Sequence, residues 1–142
     1  MTEAAAAQDN QTQAPRPWTH GLFYWNELMT HDGDRARKFY ADTLGWTYEP
    51  FPMEGGGTYW VAKSGSETVG GIFVMSAPEM ADVPECWMSY IAVDDVDTRV
   101  EKALASGATL IRPVFDMPKV GRIAILREPG GAVIGWMTPA SS

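Results

Sequence analysis

Cysteine is nearly absent from this 142-residue chain. Cys86 stands alone, so neither an internal disulfide nor a cysteine-based metal cluster can form. Histidine is almost as scarce: His20 and His31 are the only two, both far in sequence from Cys86, which therefore reads as a linker residue beside Pro84 rather than a catalytic thiol. Positive charge is short as well, with 11 Lys and Arg against 18 Asp and Glu and a formal net charge of −7. Without clustered Lys and Arg the chain has no phosphate-binding surface, which excludes nucleic acid as a partner and leaves room for a cationic ligand. No apolar run approaches the length of a membrane span. Residues 1–17 hold no aromatic residue, no basic start and no apolar stretch of signal-peptide type, so a disordered tail and a cytoplasmic protein are expected.

Large, adaptable side chains are plentiful: six Trp, five Tyr, five Phe and eight Met within an ordinary 45% hydrophobic content. They suit a dense core or an apolar ligand pocket. The length fits one domain, expected over 18–138. Within it the chain repeats itself. The run from Trp25 to Asp32 matches the run from Met88 to Asp95, 63 positions on, and each leads into a helical pattern. That pattern is Ala36, Phe39, Tyr40 and Leu44 in the first copy, and Val96, Val100, Ala103 and Leu104 in the second. A period of this length with only two copies predicts a pair of like units rather than a solenoid.

Each unit reads as strand, helix and three strands. In the first copy, Asp32 or Asp34 is placed to cap the helix, Arg35, Arg37 and Lys38 give it a solvated side, and Gly45 is placed to stop it. Pro50 and Pro52 push the following strand to a sheet edge. The expected boundaries are 21–75 for module one, 76–86 for the linker and 87–138 for module two. Period-2 alternation sends Leu28, Ile72, Val74, Ile91, Val93 and Ile134 toward the helices, and Trp25, Glu27, Phe73, Met88, Tyr90 and Met137 to the opposite faces.

The pattern Asp32-x6-Phe39-Tyr40-x3-Leu44-Gly45, then Val93 to Asp97, then Gly121 to Leu126 and Glu128-Pro-x-Gly131, resembles the vicinal oxygen chelate superfamily. That group contains glyoxalase I, extradiol dioxygenases and bleomycin-resistance proteins. The resemblance covers residues 21–138 and implies an α+β fold, two βαβββ modules in pseudo-twofold arrangement with curved mixed sheets around a central cleft, within a homodimer. It further implies four metal-ligand positions, which fall on Trp25, Gly71, Met88 and Gly135. Indole, thioether and glycine offer no oxygen or imidazole donor, so no metal and no cofactor is expected.

Trp25 and Met88 in place of ligands, with Gly71 and Gly135 opening space above them, suit an apolar slot that stacks a flat ligand; they equally suit a plugged cleft. Glu27 shares that face with Phe73 and Tyr90. A carboxylate among aromatics either binds a cationic group or moves a proton, with Tyr90 as a hydrogen-bond donor, or else is tied off by Arg112, Arg122 or Tyr90. His31, at the strand-to-helix turn, reads as a local cap or surface residue. The expected function is metal-independent binding of an aromatic or cationic small molecule by Trp25, Glu27, Gly71, Phe73, Met88, Tyr90 and Gly135. The alternative is a glyoxalase- or dioxygenase-like enzyme, either metal-free with Glu27 as acid or base, or metal-dependent with atypical ligands.

Overall fold

The computed structural model describes residues 17–141; all but the last residue of the expected tail at 1–17 lies outside that range. By its contacts the chain forms two compact units, one of residues 26–87 and one of residues 17–25 with 88–141. This differs from an even division at 21–75 and 87–138. Residues 21 and 22 are tied to the second unit by hydrogen bonds from the Gly21 amide to the Ala92 carbonyl (2.7 Å) and from the Ala92 amide to the Leu22 carbonyl (2.8 Å).

Module one runs β1 (Phe23–Thr30), α1 (Gly33–Leu44), β2 (Thr47–Pro52), β3 (Thr58–Ser64) and β4 (Glu67–Val74). Asp32 caps α1 by accepting from the Arg35 amide at 3.0 Å. Gly45 ends the helix at φ 75°, a left-handed conformation that costs glycine nothing. The strands lie in the order β2-β3-β4-β1, with β4 parallel to β1 and the other pairs antiparallel. β2 is the edge strand that Pro50 and Pro52 require. On the helix side, buried Leu28, Ala36 and Ile72 form the core, walled by Tyr40, Tyr48 and Trp60. Val74 joins that side, lying so close to α1 that a Cβ on Gly33 would sit 2.8 Å from it. Arg37 departs from the expected solvated side: its guanidinium lies over the Trp60 ring, 3.8 Å from the centroid.

Module two repeats the plan with β5 (Cys86–Ala92), α2 (Val96–Ala105), β6 (Thr109–Met117), β7 (Gly121–Arg127) and β8 (Val133–Pro139), ordered β5-β8-β7-β6. Asp95 caps α2 as Asp32 caps α1. Its core joins Val93, Val96, Val100, Ala124 and Leu126, with Ile91 and Ile134 packed on them, as their spacing predicts. Cys86 is not a linker residue: it opens β5 and is exposed. Among the described residues no helix is long and apolar enough to cross a membrane.

Candidate functional site

The face of module one away from α1 carries Glu27, Gly71 and Phe73. Strand register sets Glu27 of β1 directly opposite Gly71 of β4, which in turn faces Val61 of β3. A side chain two residues before Val61 shares its face, and Tyr59 stands there. The Tyr59 hydroxyl donates to Glu27 Oε1 at 2.8 Å, spanning the intervening strand. Gly71 is what allows it: a Cβ there would lie 1.8 Å from the Tyr59 hydroxyl oxygen. The open space expected above Gly71 is thus filled by a phenol. Glu27, Tyr59 and Phe73 are all half-buried.

The sequence reading missed Tyr59. Its signal was available as an aromatic on the same alternating face as Glu27 with a glycine between, but the strand order that brings β3 within reach of β1 through β4 is not written in a local pattern. Of the arginines considered as partners for Glu27, Arg122 is paired with Asp97 and Asp116. Arg112 lies over Phe115, 3.6 Å from its ring centroid.

In module two, Tyr90 of β5 stands opposite Gly135 of β8. Here the tyrosine covers its own register partner: a Cβ on Gly135 would lie 2.4 Å from the Tyr90 ring. Space above this glycine is also closed. Met88, Tyr90, Ala92, Ile123 and Met137 are all buried on this face. Trp25 belongs to this second unit and is half-buried.

The four positions that the resemblance implies for a metal are Trp25, Gly71, Met88 and Gly135. In register the direct neighbours of Gly71 and Gly135 are Glu27 and Tyr90, while Trp25 and Met88 lie two residues before them, at diagonal distance. Neither register pair supplies two donor side chains, since glycine has none. Among the described residues no three His, Cys, Asp or Glu side chains gather into a possible metal site. The residues present do not fit a divalent ion of the family kind.

His31 is exposed and sits away from Glu27 in function: its Nε2 donates to the Val83 carbonyl at 2.7 Å, tying the connector to the start of α1. It also borders a cavity of about 380 Å³ with Asp34, Arg37, Met53 and Trp60. At the start of module two, Asp94 accepts two hydrogen bonds from Arg99, at 2.8 and 2.9 Å. The guanidinium above all holds the Asp94 carboxyl down at about 2, with His20 adding to the effect.

Residues 23–56 match the family described as Bleomycin resistance protein-like N-terminal. The chain is 40% identical over 120 residues to the putative glyoxylase CFP32 of Mycobacterium bovis, an alignment covering 84% of this chain and 45% of that protein. It is 25% identical over 119 residues to the anthracycline biosynthesis protein DnrV of Streptomyces peucetius, covering 76% and 43%. The chain therefore spans less than half the length of these relatives. Among solved structures, methylmalonyl-CoA epimerase from Streptomyces coelicolor, in complex with 2-nitronate-propionyl-CoA, superposes with a TM-score of 0.63 at 16% identity, covering 87% of this chain and all of that one. A hypothetical protein from Bacillus halodurans gives 0.65 at 11% identity, over 87% and 98%. At such identities these likenesses speak for the fold alone.

Proposed function

This chain belongs to the vicinal oxygen chelate superfamily, and from that premise we propose that it is a metal-independent small-molecule binding protein of the glyoxalase and bleomycin-resistance type. Its ligand is an aromatic compound bearing a cationic or hydrogen-bond-donating group. The observation that carries this reading is the Tyr59–Glu27 hydrogen bond across Gly71. A carboxylate on a half-buried aromatic face is costly unless something partners it, and the Tyr59 hydroxyl bonds and orients this one. A cation meeting that carboxylate gains a charge-assisted hydrogen bond, and the Tyr59 and Phe73 rings offer flat surface to an aromatic body. A homodimer is part of this proposal.

The same pair supports a second reading. A glutamate oriented by a proton-bearing phenol is also the minimum equipment for moving a proton to or from a bound substrate, which makes Glu27 a general base and Tyr59 its positioning partner.

Titration with a panel of cationic and neutral aromatic compounds, read by tryptophan fluorescence, separates the readings. Binding is expected for wild type and weakened at least about tenfold, a loss of roughly 1.4 kcal/mol, in Glu27→Gln. If bound compounds are turned over, and turnover falls far more than affinity in the variant, the enzyme reading replaces the binding one. Elemental analysis after chelation and reloading checks the metal-independent claim; one tightly held nickel, zinc or iron per chain would overturn it.

A further inference from the structure

The connector that leaves module one ends in Glu85, and its carboxylate is received by a ready-made set of donors. Glu85 Oε2 accepts from Thr30 Oγ1 at 3.0 Å, from the His31 amide at 2.9 Å, and from Arg35 Nη2 in a short charge-assisted bond. The donors are fixed by β1 and α1, not by the connector. Thr30 is fully buried, and its hydroxyl oxygen accepts from the Asp32 amide at 3.1 Å while Asp32 caps the helix on Arg35. Beside the carboxylate opens a cavity of about 240 Å³ lined by Leu28, Ala36, Phe39 and Tyr40, with Arg35 and Glu85 on its rim. Three donors of three kinds converging on one oxygen next to an apolar hollow is more than a tether requires; it is the arrangement that recognises an organic acid.

We propose that Thr30, the His31 amide and Arg35 form a carboxylate-binding site for a small organic acid with an aromatic or branched apolar body, occupied here by the chain's own Glu85, which such a ligand displaces. The acid group takes the place of the Glu85 carboxylate and the body enters the hollow against Phe39 and Tyr40. The same donors account for the behaviour of the resident group: the His31 amide foremost, then Arg35 and Thr30, hold the Glu85 carboxyl below the usual carboxylate range. This site lies on the helix side of module one, with Leu28, whereas Glu27 faces the other way. It stands independently of the function proposed above.

Benzoate is the probe, with neutral benzamide and chloride at equal ionic strength as controls. In Glu85→Ala the site is vacated, and benzoate is expected to raise the melting temperature by several degrees where benzamide and chloride do not. Wild type should need on the order of tenfold more benzoate, because a tethered carboxylate competes at millimolar effective concentration. Adding Arg35→Ala to Glu85→Ala should abolish the response. Should Glu85→Ala fail to fold, Glu85→Gln keeps the shape and an acceptor while removing the charge, and benzoate should still displace the weaker amide. A melting temperature of the vacated variant that moves no more with benzoate than with benzamide would overturn the proposal and leave Glu85 as a simple latch.

Discussion

The two modules carry a glycine at corresponding places on their last strands and cover it with a tyrosine, yet they use the device differently. In module two the tyrosine is Tyr90, the register partner of Gly135, buried together with Met88, Ile123 and Met137. Among the described residues that buried set includes no charged side chain. In module one the covering tyrosine comes from the neighbouring strand β3, remains half-exposed, and delivers its hydroxyl to a carboxylate. One module uses the space for core and the other uses it to hold a charge. A half-buried charge is rarely kept for stability alone, since an apolar residue in its place avoids the desolvation cost. The difference points to module one as the side that recognises ligand.

The largest test of this contrast is truncation of the tyrosines. Tyr90→Ala removes a buried aromatic and should destabilise by about 3–5 kcal/mol, measured by denaturant unfolding. Tyr59→Ala removes a half-exposed one and should cost clearly less; equal losses would break the distinction. Next come the glycines. Gly135→Ala forces a methyl into the Tyr90 ring within a packed face, at a cost of about 1–3 kcal/mol. Gly71→Ala displaces the half-exposed Tyr59 ring and hydroxyl that lie over it. The expected loss of stability is smaller there, and the damage should appear instead in ligand affinity, read by fluorescence titration.

A smaller effect is expected from acid. Asp94, held at about 2 by Arg99, has a folded-state pKa below its unfolded value of about 3.9. A depressed carboxyl pKa contributes stability that is fully present above the unfolded value and is lost as pH falls through the folded one. The pair is exposed, so screening keeps the effect slight. Wild type should therefore outlast Asp94→Asn in thermal melts above about pH 5, with the gap closing between about pH 4 and pH 2. A gap that is undiminished at pH 2 would show that the aspartate acts through something other than its charge.

Much of the fold could be read from the chain because local signals agreed with one another. Asp32 or Asp34 and Gly45 marked helix ends, Pro50 and Pro52 marked an edge, and alternation sorted Leu28 and Ile72 from Glu27 and Phe73. Strand register was the part that local pattern could not supply. The resemblance placed the key first-strand positions at Trp25 and Met88, and pairing sets Glu27 and Tyr90, two residues on, directly beside Gly71 and Gly135. Tyr59 went unnoticed for the same reason, since its reach to Glu27 depends on β3, β4 and β1 lying side by side. The glycines were read as openings because a missing side chain looks like space until the neighbour that fills it is known.

The central claim is that Glu27 is retained for recognition and contributes little to folding. Its most direct test is the unfolding free energy of Glu27→Gln against wild type. The amide oxygen keeps an acceptor for the Tyr59 hydroxyl while the charge is removed, so stability should stay the same or rise slightly. A loss of about 1–3 kcal/mol, the usual cost of stranding a buried partner, would contradict the account and make Glu27 a structural residue.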